Sequence, residues 1–410
     1  MNRQRKSLAS LFTSAFRGSR PRPIRRGNPL RLESLESREV PATFTVDSVL
    51  DTGAANTLRW AIDQANALPG HDTIEFGFDT PGVHTIQPQS PLPWITDAVT
   101  IDGYSQAGSS RNTLPVGSDA VLNIEIDGSQ SGGSGLILVA DGSTVQGLVV
   151  NNFPGYGIFA FYSDSNVIAG NFIGTDPSGT LARPNDWGIK VSSGRLNVIG
   201  GATPADRNVV SGNKYDGINI QGTYNPSDFQ AIGNLVVNNY AGTNAAGDAA
   251  LPNGSPTSDG GGISVGGGSG NFVIGNLISG NDDGGLSLGD WNSTVQGNKI
   301  GTDATGTFAI PNTGNLYYPQ YGNGIGVYGS NNLIGGDSPG EGNLIAFNAG
   351  AGIYVTIHGQ SYGTTSATIR GNSIHSNGSL GIDIAPEAVN ARGPNANDAG
   401  DTDVGPNGYQ

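Results

Sequence analysis

No cysteine occurs among the 410 residues, so neither a disulfide framework nor a thiolate metal site can form. No run of about 18 apolar residues occurs either, so no transmembrane segment is expected. Charged residues make up only 13% of the chain. The histidines, at positions 71, 84, 358 and 375, lack the close spacing that would bring two of them onto one metal. No EF-hand loop is present. No cofactor is expected, apart from weak calcium binding at acidic corners.

Glycine is plentiful instead, at 66 residues without a collagen period. Together with abundant Asn, Ser, Asp and Thr it fits many tight turns between short strands. Charge is divided along the chain: residues 1–40 carry a net +7 and residues 41–410 a net −21. An acidic body argues for no nucleic acid partner. The basic start, residues 1–42, reads as an export leader that is disordered or removed.

Repetition dominates the rest. Gly-Asn-x-Ile/Val begins at Gly170, Gly233, Gly275, Gly297, Gly342 and Gly371. Asn-x-x-x-Gly-Ile/Leu-x-Ile/Leu/Val spans Asn213 to Ile220, Asn281 to Leu288, Asn348 to Val355 and Asn377 to Ile384. Recurrence of this kind marks a solenoid. Paired apolar residues two apart, such as Ile218/Ile220, Leu286/Leu288, Ile353/Val355 and Ile382/Ile384, point one face of a strand inward. About three such bursts fall between neighbouring Gly-Ile anchors, for example from Gly324 to Gly352 and from Gly352 to Gly381. One turn therefore holds three strands. The missing helical segments exclude a TIM barrel, and the missing Leu-x-x-Leu-x-Leu phrase excludes leucine-rich repeats. The repeated Asn residues suit left-handed corners, with amides bonding from turn to turn as a ladder.

Leu58, Ala61, Ile62 and Ala65 fall on one helical face, with Asn56 or Thr57 as cap and Pro69-Gly70 as stop. Such a helix would cover the open first turn. Three segments share another phrase: Gly174–Asn185, Gly242–Asn253 and Gly301–Asn312, each running from Gly-Thr-Asp/Asn to Pro-Asn. They read as loops leaving one side of the coil, either as turn-rich excursions or as binding loops.

Leu35-Glu-Ser-Arg-Glu-Val-Pro-Ala42 resembles a motif near the N-terminus of planctomycete-type exported surface proteins. That resemblance implies an extracellular or cell-surface location. Thr57 to Phe76 and Ile101-Asp-Gly-Tyr-Ser-Gln106 are similar to the opening of bacterial β-helix surface proteins. The repeats together resemble the pectate-lyase-like superfamily. The implied fold is all-β, a right-handed parallel β-helix with three strands per turn and a short N-terminal capping helix. It spans 43–390, and residues 391–410 form an irregular tail.

Asp282-Asp283, His358-Gly359 and Arg370 resemble the Asp-Asp, Gly-His-Gly and Arg-x-Lys elements of polygalacturonases. The match is broken, because no Gly precedes His358 and no Lys follows Arg370. Asp282 and Asp283 also occupy a corner equivalent to Lys214 and Tyr215, where polar turn residues are expected anyway. Gly266–Phe272 resembles a calcium-binding nonapeptide but lacks the coordinating Asp. Trp187, Tyr215, Trp291, Tyr317, Tyr318 and Tyr321, near the inserted segments, are carbohydrate-binding candidates. The expected role is structural or adhesive, with a polysaccharide or cell-envelope component as partner. The alternative is a polysaccharide lyase or glycoside hydrolase using Asp282, Asp283, His358 and Arg370. An uncovered last turn would add end-to-end self-association.

Overall fold

The computed structural model describes residues 40–223, 231–255, 257, 260–314, 322–356 and 366–385. Among these, the chain winds as a right-handed parallel β-helix; from Val99–Asp102 onward each turn lays one strand on each of three sheets, and the turns before it are incomplete. Sheet one has eleven strands, from Thr43–Val46 to Ala367–Arg370; sheet two has ten, from His84–Ile86 to Ser373–His375; sheet three has nine, from Leu136–Leu138 to Ile382–Ile384. All neighbouring strands within the sheets pair parallel.

Register is strict where inward residues stack. In sheet three Ile189 pairs with Ile218, then Ile263, Leu286, Ile325, Ile353 and Ile382. Most of that column is sealed from solvent, and so are the inward residues of the other sheets. Each full burial of such a side chain stabilises the fold by roughly 1.5–3 kcal/mol. Of the eight residues expected to point inward, Ile218, Ile220, Leu286, Leu288, Ile353 and Val355 are buried. Ile382 is 42% exposed and Ile384 half-buried, although both hold the inward register. They belong to the last described turn, so on one side no described strand stacks against them. The expected tail, 391–410, and the leader itself lie outside the described residues, except that residues 40–42 are described.

The corners carry the polar groups. Between sheets one and two, Asn171, Asn208, Asn239, Asn276, Asn298, Asn343 and Asn372 form a ladder, each Nδ2 donating to the next Oδ1 at 2.8–3.2 Å. Between sheets two and three, Asn185, Asn213, Asn253, Asn281, Asn312, Asn348 and Asn377 do the same at 2.8–3.1 Å. Each buried amide thereby meets the partner it would otherwise lose on leaving water. Gly170, Gly275, Gly297 and Gly371, each just before an Asn of the first ladder, take left-handed angles. Gly297, at φ 66°, could carry no side chain there, since a Cβ would come within 2.8 Å of the Gly340 carbonyl.

A third ladder, between sheets three and one, runs through Asn166, Asn197, Asn234 and Asn271. The repeated phrase did not separate it from the first. Gly233-Asn234 matches the first-ladder phrase in sequence yet sits at this corner, while Asn239 fills the first-ladder position on the same turn. Two corners with the same backbone requirement select the same two residues. After Asn271 the ladder changes chemistry. Asn271 Nδ2 donates to the fully buried Asp290 carboxylate at 2.7 Å, which also accepts from Gly268 N–H at 2.6 Å and the Ser293 hydroxyl at 2.5 Å.

The helix Leu58–Ala67 buries Leu58, Ala61, Ile62 and Ala65 against the first turn. Thr57 caps it, its hydroxyl accepting from Trp60 N–H. Arg59 ties the helix to the preceding segment through a two-point contact with Asp51, both bonds 2.8 Å. The sequence-based cap and boundaries agree with this.

Candidate functional site

The three inserted segments do not stand free. Each leaves sheet two, folds as a hairpin closed by a Thr–Ala bridge, and re-enters on an Asn of the second ladder. Asp176 and Asp303 organise two of them. Asp303 accepts from the Thr305 hydroxyl and from Thr307 and Phe308 N–H at 2.7–2.9 Å. The hairpins also bond to one another, Ala245 N–H to Gly179 C=O at 2.9 Å and Ala304 N–H to Gly247 C=O at 2.7 Å. Ala245 and Ala304 pack with Val149, Phe172, Val209, Tyr240 and Leu277 in a second apolar layer. Burying the outer side of sheet two explains these segments without a ligand.

Sheet three is different: its outer flank gathers a row of aromatic rings. Trp187 pairs in register with Tyr156 one turn before it, and Tyr215 sits at the corner one turn after. Ring centroids are 5.2 Å apart for Tyr156–Trp187 and 4.4 Å for Trp187–Tyr215, the latter stacked at 24°. All three residues are half-buried. The row continues through Phe159 at 4.5 Å from Tyr156 and Phe161 at 5.1 Å from Phe159. Tyr162 and Trp94, both more than half exposed, then flank Phe161. Trp187 and Tyr215 were legible as candidates. Tyr156, Phe159, Phe161 and Trp94 were missed, though the alternation Phe159-Ala-Phe161 announces two outward rings.

Beside the rings lies a polar network. Lys190 pairs in register with Phe159 on one side and Asn219 on the other. Its ammonium donates to Asn219 Oδ1 at 2.8 Å and Gln221 Oε1 at 2.5 Å. Asn219 Nδ2 donates in turn to the Asp216 carboxylate at 2.5 Å, which also accepts Gly261 N–H at 3.0 Å. Burial lowers the Lys190 pKa, while the charge of Asp216 resists the change. Burial raises the Asp216 pKa, against its hydrogen bonds and the charge of Lys190. An ammonium and a carboxylate each displaced toward neutrality, on a shared Asn, are groups suited to holding or moving a proton. Lys214 pairs with Asp186 at 2.7 Å on the corner next to the stacked rings.

The other sequence candidates fall elsewhere. Trp291 ends its sheet-three strand, nearly buried, at the corner opposite the Trp187 end. Asp282 and Asp283 stand in the corner between sheets two and three, as the turn reading expected, with the Thr313 hydroxyl 3.4 Å from Asp282. Burial raises the Asp282 pKa, against that hydrogen bond. Arg370 ends the last strand of sheet one and pairs with Asp337 at 2.9 Å. It lies three turns further along and at a different corner, about 14 Å away along the coil axis alone. The grouping of Arg370 with Asp282 and Asp283 is therefore not formed. His358, Tyr317, Tyr318 and Tyr321 lie outside the described residues. Among the described residues no cluster of His, Asp and Glu is arranged to hold a metal ion, and no helix is long and apolar enough to cross a membrane.

The fold and flank define a right-handed parallel β-helix with one aromatic-lined outer face. No protein-family description and no curated protein matches the sequence. Among solved structures the chain is similar to the A-module of the Azotobacter vinelandii mannuronan C-5 epimerase AlgE4, with 15% identity, 86% of this chain and 98% of that one covered, and a TM-score of 0.45. It is also similar to the alginate lyase from Paenibacillus sp. str. FPU-7, with 16% identity, 83% and 99% covered, and a TM-score of 0.39. The cedar pollen allergen Jun a 1 shares 12% identity over 90% and 83%, at a TM-score of 0.40.

Proposed function

We propose that the protein is an exported surface or envelope β-helix that binds a polysaccharide along the outer flank of sheet three. The observation that carries this reading is the row Tyr156–Trp187–Tyr215, one ring per turn with centroids 5.2 and 4.4 Å apart and half-buried. Sugar rings present apolar C–H faces that lie against such rings, while Asp186, Lys214 and Gln221 supply polar groups for hydroxyls nearby. Export is supported by the basic start of the chain and the Leu35–Ala42 phrase. The structural or adhesive role is supported by the length of continuous parallel sheet, nine to eleven strands on each side, which offers a long flank.

A panel of neutral and acidic polysaccharides, read for binding to the intact protein and to Trp187→Ala, tests this. Binding to at least one glycan that falls in the variant is expected. Equal binding by both proteins would move the ligand away from this flank. A second reading, an enzyme acting on the same chain, is favoured by the Lys190–Asn219–Asp216 network. It calls for new reducing or unsaturated ends in the same panel, and for their loss in Lys190→Met.

A further inference from the structure

The first strand of the coil is met at its start by a carboxylate that lacks a full set of partners. Asp72 is 0% exposed and opens the strand Asp72–Phe76, in which Thr73 pairs with Thr43. Its Oδ1 accepts the backbone N–H of Ala42 at 2.7 Å. Its Oδ2, buried as well, meets no donor among the described residues. A single neutral N–H compensates poorly for a carboxylate taken out of water. Neighbouring charges are committed elsewhere. His71 bonds the Thr100 hydroxyl at 2.8 Å, and the Asp97 carboxylate accepts the N–H groups of Gly70 and Ala98. The ion pairs found among the described residues, Arg59–Asp51, Lys214–Asp186 and Arg370–Asp337, do not involve Asp72.

The chain changes character at the same place. Val40 is 71% exposed and Pro41 exposed, whereas Ala42 is half-buried and its carbonyl accepts Thr73 N–H at 2.8 Å. Exposed backbone just outside a packed element is where proteases cut.

We infer that the mature chain begins at Ala42, and that the α-ammonium freed by hydrolysis of the Pro41–Ala42 bond is the cation Asp72 receives. Water adds across the amide. The Pro41 carbonyl carbon takes the oxygen and leaves as a carboxylate, and the Ala42 nitrogen ends with three protons and a positive charge. A separate endopeptidase that cleaves after proline supplies the catalysis. The nitrogen need not travel, since it already lies 2.7 Å from Oδ1. Extra donors on that nitrogen bring Oδ2 within reach of one. A buried carboxylate with one neutral donor becomes half of a short ion pair, and cutting the leader fastens the first strand instead of loosening it. The inference is independent of the saccharide reading, and it places the boundary one residue before the end of the leader expected from the sequence.

The test uses the full chain. Arg38→Ile, Val40→Gly and Pro41→Arg, with Glu39 kept, create a factor Xa site whose cleavage leaves Ala42 first. Cutting the folded protein at pH 7 should raise its thermal midpoint by about 2–4 °C. The same cut in an Asp72→Asn background should not. An unchanged or lowered midpoint, or an equal rise in both backgrounds, overturns the inference. Should Asp72→Asn fail to fold, the cut protein is treated with an amine-acylating reagent at pH 8, with and without urea. The Ala42 amine should react at least tenfold more slowly in the folded protein, and equal rates overturn the proposal. N-terminal sequencing of protein from the cells that make it should read Ala-Thr-Phe-Thr, and any other first residue also overturns it.

Discussion

Trp187 and Tyr215 lie face to face, ring centroids 4.4 Å apart and planes at 24°, although a full turn of chain separates them. The stack is a product of winding: parallel strands sit about 4.8 Å apart, close to the spacing at which rings meet. Removing the middle ring by Trp187→Ala should break the row at its centre. A glycan that binds the intact protein should lose about tenfold in affinity, or roughly 1.4 kcal/mol, by titration calorimetry. The thermal midpoint should barely change, because the ring lies outside the coil.

The inward column makes a sharper demand. Leu286 is 2% exposed between Ile263 and Ile325. Leu286→Asp would place a charge there with no partner, at a cost of several kcal/mol. Thermal unfolding that matches the intact protein would contradict the column.

Ladder position should set the cost of losing an amide. Asn276 bonds both neighbours in its ladder and the Val236 carbonyl, all while buried. Asn372 closes the same ladder and is only half-buried. Asn276→Ala should cost about 2–4 kcal/mol, because it orphans groups on two turns, and Asn372→Ala about 1 kcal/mol or less. Urea unfolding of the two variants compares them directly.

Asp290 carries a pH signature. Burial raises its pKa, against the hydrogen bonds from Ser293, Asn271 and Gly268 that lower it. A carboxyl whose folded pKa exceeds its unfolded one, near 3.9, holds its proton more tightly when folded. Its stabilising effect is complete below the unfolded value and fades as pH rises through the folded value. Asp290→Asn cannot titrate. The midpoint of the intact protein minus that of Asp290→Asn should therefore fall steadily as pH climbs from about 3. A difference that stays flat would show that Asp290 does not titrate in this way.

Periodicity made the coil, its three strands per turn, the capping helix and the stacking of amides readable, because each depends on residues close in sequence or repeated along it. The chemistry of the flank was less readable. Trp187 and Tyr215 stood out as aromatic residues near insertions. Lys190, Asn219 and Asp216 did not, because they become neighbours only through the register that aligns Lys190 with Asn219. Asp282 and Arg370 drew attention through a familiar order of residue types. Order along the chain does not place two side chains at one corner, and here it did not. Asp72 was invisible for the same reason, its meaning lying in the Ala42 N–H beside it.

Between Phe172 and Ala346 the hairpins on sheet two occur on every second turn: after the strands ending at Ile173, Ala241 and Ile300, but not after those ending at Val210, Ile278 or Ala346. A hairpin is two strands wide, so one per two turns fills the flank without gap or overlap. The turns between supply the seams, Gly212 N–H bonding Leu251 C=O and Gly280 N–H bonding Ile310 C=O at 3.1 Å. Growth and loss in such a molecule are quantised. Duplicating or deleting a pair of turns preserves the tiling, whereas a single turn would set two hairpins on one site or leave Phe172-like rings bare. Length variation among chains of this design should accordingly come in even numbers of turns.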